Sequence, residues 1–127
     1  MGLCPRCLRA KARAADAVSL SPPLGQFVVA RDGADVIACG GIQRIDDTTA
    51  EVKRMWVHPE WRGAGIGRRL LTHLEERIGA LGYCRVVLDT NATLTEAIAM
   101  YETAGYAATE RYNDNPYAQR WFAKDLA

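Results

Sequence analysis

A glycine-rich stretch flanked by arginines is the part of the sequence best suited to bind a ligand. It reads Arg62-Gly63-Ala64-Gly65-Ile66-Gly67-Arg68, and it lies between a β-type run that ends at Val57 and an amphipathic run that begins at Gly65. Glycine lets the backbone approach a ligand with no Cβ in the way. The start of a helix adds unpaired N–H groups and a positive dipole end, which favour a phosphate group. The stretch therefore predicts an anion-binding cradle; the alternative is a tight strand-to-helix turn that happens to be rich in glycine.

Two well-known phosphate-binding motifs fit this stretch poorly. A Walker P-loop ends in Gly-Lys-Ser/Thr, whereas Gly67 is followed by Arg68 and Arg69. A dinucleotide-binding fold needs G-x-G-x-x-G directly after its first strand and an acidic residue about 20 positions later. Asp89 stands at the end of the next predicted strand, but Arg68 replaces the third glycine and residues 58–62 separate the strand from the glycines. The first motif is excluded, and the second is disfavoured.

The residues before the cradle predict an antiparallel meander of three strands. The strands cover 26–31, 35–45 and 50–57, and Asp32-Gly33 is a hairpin signal between the first two. Gly40-Gly41 lies inside the second strand and predicts a bulge or a bend. The third strand leads into the cradle.

The residues after the cradle predict a βαβ unit and a second helix. Apolar residues form one stripe along a helix over 65–80, Gly82 is suited to end it, and 85–89 is a short, largely apolar strand. The connection is expected to be right-handed. Thr93-Leu94-Thr95-Glu96 predicts a capping box at the start of the second helix, and Gly105 predicts its end. The final strands are predicted over 106–111 and 119–124.

Composition narrows the class of protein. The chain has 127 residues and a formal net charge of +1, so it is predicted to be a single domain (1–127) that does not bind nucleic acid. Residues 1–25 are predicted to be a short helix, over 4–18, with a linker, and 26–127 form the core. No apolar run approaches the roughly 18 residues of a membrane span, so no membrane contact and a cytoplasmic location are expected. Cys4-Pro5-Arg6-Cys7 lacks the second ligand pair of a zinc site, and no metal is predicted.

Two blocks of this sequence resemble the GNAT superfamily of N-acetyltransferases. The first is the cradle, in which Arg62, Gly65 and Gly67 meet that family's acetyl-CoA signature, Arg/Gln-x-x-Gly-x-Gly/Ala. The second, Glu96 to Tyr106, is similar to the family segment Ala-Ile-x-Leu-Tyr-x-x-x-Gly-Phe/Tyr. The resemblance runs from about Phe27 to the C-terminus. It implies an α/β (α+β) fold with a mixed, mostly antiparallel sheet that is splayed at its one parallel pair and has helices on both faces.

The resemblance also implies how acetyl-CoA, the expected co-substrate, would bind. Its pyrophosphate would lie on backbone N–H groups between Arg62 and Arg68, and its pantetheine arm would lie between the splayed strands near Met55 and Val57. Relatives often carry Asn seven residues before the tyrosine of the second block, where this chain has Leu94, so Asn91 or Thr90 is expected to make that contact. The implied cofactor-binding residues are Met55, Val57, Arg62, Gly63, Ala64, Gly65, Ile66, Gly67, Arg68, Asn91 and Tyr101.

The implied reaction moves the acetyl group to a primary amine, of a small molecule or a peptide, by direct attack through a tetrahedral intermediate. Tyr101 resembles the family's general acid, which protonates the departing thiolate; the alternative is a core aromatic residue. Glu51 resembles a family glutamate that acts as a base directly or through water; the alternative is an exposed strand carboxylate. The N–H of Val57 is the expected donor to the oxyanion. The rival function is a non-catalytic acyl-CoA-binding or regulatory module.

The N-terminal part departs from the family pattern. Relatives usually begin with a strand and two helices, and only some 25 residues precede Phe27, so the first strand and one helix are expected to be missing or reduced. An uncovered sheet edge invites pairing, and a homodimer is therefore predicted.

Overall fold

Six strands and two helices make up residues 25–126, the part of the chain that the computed structural model describes. The strands are β1 Gln26–Asp32, β2 Asp35–Arg44, β3 Thr49–Val57, β4 Arg85–Thr90, β5 Ala107–Ala108 and β6 Arg120–Asp125. The helices are α1 Ile66–Ala80 and α2 Thr95–Thr103, and a 3-10 turn, Pro59–Trp61, follows β3. The helix predicted over 4–18 and the Cys4-Pro5-Arg6-Cys7 motif lie outside the described residues. None of the described helices is both long enough and apolar enough to span a membrane.

The strands form one mixed sheet in the order β1-β2-β3-β4-β6-β5. Neighbours are antiparallel except β3 and β4, which run parallel and are connected through α1. The predicted meander and βαβ unit are therefore confirmed. The last strand pair is shorter than predicted: beyond Thr109, whose N–H donates to the carbonyl of Trp121 at 2.9 Å, the chain leaves the sheet edge. It does so because Tyr112 and Asn113 bond instead to carboxylates on the sheet.

The parallel pair is splayed, as the sequence resemblance implied. β3 and β4 pair over Thr49–Glu51 and Arg85–Val87 only, although β3 continues to Val57. β4 meanwhile stays paired with β6 along its whole length, from Arg85 to Thr90. The gap therefore opens between β3 and β4.

A bulge lies opposite Gly40, where the sequence predicted an irregularity. Cys39 pairs with Trp56 and Gly41 with Lys53, so one residue of β2 faces two residues of β3. The extra residue is thus on β3, where Arg54 has a φ of 55°. Gly40 itself is required by packing, because a Cβ there would lie 2.8 Å from Cδ1 of Leu74 in α1.

Both described helices pack on the same face of the sheet. Two successive right-handed crossovers that advance in one direction along a sheet place their helices on one side. The shared core contains the following buried residues of the sheet and the helices: Ile42, Ala50, Val52, Val86, Leu88, Phe122, Leu70, Leu71, Leu74, Ile78, Ile98 and Tyr101. Alternate strand residues, including Glu51 and Asp89, point to the opposite face. Within residues 25–126 that face carries no helix; the helix predicted over 4–18 lies outside the described residues.

Glycines delimit the helices, but the predicted capping box is wrong. Gly65, with a φ of 80°, precedes α1, and Gly82 and Gly105, with φ of 99° and 100°, follow α1 and α2. α2 begins after Leu94, which makes no side-chain cap. The hydroxyl of Thr93 instead donates to Oδ1 of Asn91 at 2.7 Å, in an Asx turn that competes with the capping geometry.

Candidate active site

A cavity of about 650 Å³ occupies the splay between β3 and β4. Three segments line it: the end of β3, the glycine-rich stretch and the first half of α2. Of the residues implied to bind the cofactor, the lining includes Met55, Val57, Arg62, Gly63, Gly65, Gly67, Arg68 and Tyr101. It also includes residues that were not implied to bind the cofactor: Trp56, Thr93, Leu94, Thr95, Glu96, Ala97 and Met100.

The glycine-rich stretch is open toward the cavity. Gly63 and Gly65 have φ of 83° and 80°, and a Cβ built on either would meet no atom within 4 Å. The first intrahelical bond of α1 is donated by Arg69 to the carbonyl of Gly65 at 3.1 Å, so the N–H groups of 66–68 have no acceptor within the helix. Such N–H groups, at the positive end of a helix dipole, can hold an anion.

The end of β3 presents backbone groups to the splay. The N–H of His58 donates to the carbonyl of Ile37 at 2.7 Å, which makes these two residues a hydrogen-bonded pair. The next pair, Val57 with Ala38, is then non-hydrogen-bonded, and the N–H and C=O of Val57 point away from β2. The carbonyl of Val57 accepts from Nε of Arg62 at 2.9 Å, which fixes the guanidinium beside the cavity.

Tyr101 lines the cavity with a largely buried side chain. Its side chain is 8% exposed, and its ring contacts Tyr106 and Phe122 at centroid distances of 6.0 and 6.1 Å. Within residues 25–126 its hydroxyl has no hydrogen-bond partner, whereas those of Tyr106 and Tyr112 donate to carboxylates. Burial, together with the negative charge of Asp89, raises the pKa of Tyr101, so the group remains a neutral donor at physiological pH.

Glu51 is buried on the sheet face opposite the helices and does not line the cavity. The alternative of an exposed strand carboxylate is wrong, because the residue is 3% exposed. Its Oε2 accepts from the hydroxyl of Tyr112 at 2.5 Å and from Nδ2 of Asn113 at 3.2 Å, and its Oε1 lies 3.6 Å from Nζ of Lys53. Burial raises the pKa of Glu51, while the bonds from Tyr112 and Asn113 and the charge of Lys53 oppose the rise.

Glu51 belongs to a polar cluster that joins β3, β4, β6 and the loop before β6. We call this set, Glu51, Asp89, Tyr112, Asn113 and Trp121, the carboxylate cluster. Asn113 donates to Oδ2 of Asp89 at 2.6 Å and accepts from Nε1 of Trp121 at 3.0 Å. Sequence reasoning missed Asp89 and Asn113 as members of one site. The available signal was an acidic residue at the end of an otherwise apolar, buried strand.

Three of the implied cofactor-binding residues do not line the cavity. The side chain of Ile66 packs against the core, and Ala64 is exposed outside the cavity. Oδ1 of Asn91 accepts from the N–H and the hydroxyl of Thr93, and its Nδ2 donates to the carbonyl of Tyr117 at 3.3 Å. Asn91 therefore shapes the connection between β4 and α2. Among the described residues, no group of His, Cys, Asp and Glu is arranged to hold a metal ion.

Comparison with known proteins places the chain in a family. Residues 23–108 match the family described as acetyltransferase (GNAT) domain. The chain belongs to the GNAT family. Among curated relatives, an IAA acetyltransferase of Azospirillum brasilense is 39% identical over 93 residues, which are 72% of this chain and 61% of that protein. The N-alpha-acetyltransferase RimI of Mycobacterium tuberculosis is 35% identical over 91 residues, 68% of this chain and 55% of that protein. The chain thus spans little more than half of these relatives.

Solved GNAT structures share the fold. An acetyltransferase of Streptococcus agalactiae superposes with a TM-score of 0.74 at 29% identity, over 80% of this chain and 67% of that one. A GNAT family acetyltransferase of Elizabethkingia anophelis, solved with acetyl-CoA bound, has a TM-score of 0.71 at 19% identity, over 91% of this chain and 92% of that one. The mixed sheet and the order of its helices are therefore those of the GNAT fold.

Proposed function

We propose that this GNAT domain transfers the acetyl group of acetyl-CoA to a primary amine of a small molecule or a peptide. The observation that carries the proposal is the cavity, which extends from the glycine-rich stretch at the start of α1 to Tyr101. A non-catalytic acyl-CoA-binding module would need the N–H groups alone. The hydroxyl of Tyr101 has no hydrogen-bond partner among the described residues and is therefore available to a ligand in the cavity, which favours an enzyme.

The cavity suits the cofactor's chemistry from one end to the other. The N–H groups of 66–68 and the side chains of Arg62 and Arg68 would hold the pyrophosphate. The pantetheine amides would bond to the free backbone edge of β3, as an added strand does. Gly67 lines the cavity together with Met100 and Val57, and a Cβ there would lie 3.4 Å from Sδ of Met100 and 3.7 Å from Cγ2 of Val57.

The proposed reaction forms a C–N bond and breaks a C–S bond. The amine attacks the thioester carbon, and the N–H of Val57 would donate to the oxyanion, a contribution of about 2.7–4 kcal/mol in comparable sites. The amine proton would pass to Glu51. Because Oε2 of that residue is already bonded to Tyr112 and Asn113, Oε1 is the available oxygen, reached through water since Glu51 lies outside the cavity. Tyr101 would protonate the departing thiolate.

Turnover with defined amines tests this proposal against simple binding. The purified chain would be incubated with acetyl-CoA and, separately, an amino acid, a polyamine, an aminoglycoside antibiotic, a peptide with a free N-terminus and a peptide with an internal lysine. The name of the relative RimI, an N-alpha-acetyltransferase, makes the peptide N-terminus a necessary member of that panel. We expect thiol release to accompany acetylation of at least one amine.

A metabolite extract supplied with isotope-labelled acetyl-CoA extends the test to acceptors outside the panel. The acetylated product would be found by its mass shift. Tight binding of CoA without thiol release in either experiment would contradict the proposal and support a binding module.

A further inference from the structure

Asn113 lies between the two carboxylates of the carboxylate cluster and bonds to both. Its Nδ2 donates to Oε2 of Glu51 at 3.2 Å and to Oδ2 of Asp89 at 2.6 Å. An amide nitrogen has two hydrogens, so these two bonds use its whole donor capacity. One uncharged side chain therefore joins two acidic groups that belong to adjacent strands, β3 and β4.

The orientation of this amide is set by Trp121. The indole Nε1 can only donate, and it lies 3.0 Å from Oδ1 of Asn113, so that side of the amide must be the carbonyl. The N–H of Asn115 also donates to Oδ1, at 3.3 Å. The NH₂ group is thereby directed toward the carboxylates.

The bonding leaves the two oxygens of Glu51 unequal. Oε2 accepts from Tyr112 and from Asn113, whereas Oε1 has, among residues 25–126, only the ammonium of Lys53, at 3.6 Å. We propose that Asn113 is a positioning residue, which keeps Glu51 and Asp89 side by side and leaves Oε1 of Glu51 as the oxygen that accepts the amine proton. The inference rests on the proposed role of Glu51 as the base.

The charged groups around Glu51 define what the loss of Asn113 would do. Lys53 on β3 favours the ionised carboxylate, Asp89 on β4 disfavours it, and Tyr112 from the loop donates to it. Without the amide, Glu51 and Asp89 would face each other with one fewer donor between them. Ionisation of Glu51 would then require a higher pH, because hydrogen bonds to the charged form favour that form.

The test is the pH dependence of kcat/KM in matched variants. For Asn113→Ala we expect the acidic limb of the profile to move upward by about one pH unit. Asn113→Asp places a third carboxylate in the cluster, and its shift should be larger in the same direction. Asn115→Ala is the control: it removes a bond of 3.3 Å to Oδ1 of Asp89 and loosens the same loop, but Asn115 makes no hydrogen bond to Glu51. The acidic limb of the kcat/KM profile of Asn115→Ala should not move.

Carbon-13 NMR of the Glu51 carboxyl group measures the protonation of Glu51 directly, without turnover. We expect the titration midpoint of Glu51 to move upward in Asn113→Ala together with the kinetic limb. If Asn113→Ala fails to fold, Trp121→Phe takes its place. This variant keeps an aromatic ring but removes the bond that orients the amide of Asn113. It should shift the titration midpoint and the acidic limb in the same direction, by a smaller amount.

The outcomes separate the inference from the function on which it rests. Glu51→Gln should reduce kcat by at least about a hundredfold; full activity in that variant would show that Glu51 is not the base. If Glu51→Gln is impaired but neither the limb nor the titration moves in the Asn113 variants, the inference is overturned. The inference would also be overturned if the titration midpoint of Glu51 moved while the acidic limb of kcat/KM did not.

Discussion

Replacement of Tyr101 by phenylalanine is the most direct test of the proposed chemistry. The ring contacts with Tyr106 and Phe122 would remain, and only the hydroxyl would be lost. Because that hydroxyl has no hydrogen-bond partner among residues 25–126, its removal leaves no buried group of that region unpaired. We therefore expect the free energy of unfolding to change by less than about 1 kcal/mol.

The effect on the rate follows from the leaving group. A positioned general acid typically contributes about 10²–10⁴ in rate. A thiol with a pKa near ~8.5 leaves as a fairly stable anion, which should put this case at or below the low end of that range. We expect kcat to fall about tenfold to a hundredfold, equivalent to about 1.4–2.7 kcal/mol in the activation free energy, with little change in KM for acetyl-CoA.

Tyr106→Phe is the matched control in the same assay. Tyr106 is also buried and contacts Tyr101, but its hydroxyl donates to Oε2 of Glu75 at 2.8 Å and it does not line the cavity. This variant should lose about 1–3 kcal/mol of stability and keep its kcat. Steady-state and single-turnover kinetics at saturating acetyl-CoA measure the rate, and urea unfolding measures the stability. An unchanged single-turnover rate in Tyr101→Phe would refute the role of Tyr101, and solvent would then supply the proton.

Three further predictions concern the cradle, the pH dependence of stability and the sheet edge. Gly65→Val should weaken CoA binding in titration calorimetry far more than Gly33→Val, which has the same kind of positive φ (62° against 80°) in a hairpin that does not line the cavity; equal CoA affinity in the folded variants would place the site elsewhere. Burial raises the pKa of Glu51 above its ordinary 4.5, so the folded chain retains a proton that the unfolded chain has released. The unfolding free energy should therefore fall as pH rises from 4.5 to the folded pKa, and a Glu51→Gln variant should lack this slope in urea unfolding. The outer edge of β1 pairs with no strand of residues 25–126, and Phe27 beside it is 49% exposed, so we expect a homodimer; a monomer in sedimentation at high concentration would contradict this.

The parts of the fold that depend on local signals could be predicted from the sequence. Gly82 and Gly105 mark the ends of both helices because each takes a positive φ that other residues avoid. The apolar stripe predicted a helix over 65–80, and the structure has α1 there with Leu70, Leu71, Leu74 and Ile78 buried. These features depend on interactions within a few residues along the chain.

The parts that depend on long-range contacts or on competing local bonds could not be predicted. The capping box at Thr93 failed because Asn91 forms an Asx turn, in which its Oδ1 accepts from the N–H and the hydroxyl of Thr93, and the helix begins only after Leu94. The contact between Asn113 and Glu51 joins residues 62 positions apart, and no periodicity in the sequence encodes such a pairing. The sequence predicted a bulge at Gly40 of β2, whereas the extra residue lies opposite it, on β3. The prediction failed because a glycine is compatible both with a bulge and with the close approach of a helix.

The short pairing between β3 and β4 has a consequence for how the domain opens. Three residue pairs join β1-β2-β3 to β4-β6-β5 along a seam between β3 and β4. Side-chain bonds add to them: Glu51 accepts from Tyr112 and Asn113, and Glu75 of α1 bonds to Tyr106 and Lys124. Two half-sheets joined by so few backbone bonds can separate locally at a lower cost than global unfolding. A ligand that fills the splay binds both halves, and at a concentration 100 times its Kd it would stabilise the closed form by about 2.7 kcal/mol. Amide hydrogens along the seam would then exchange more slowly, and the half-sheets would unfold as one cooperative unit.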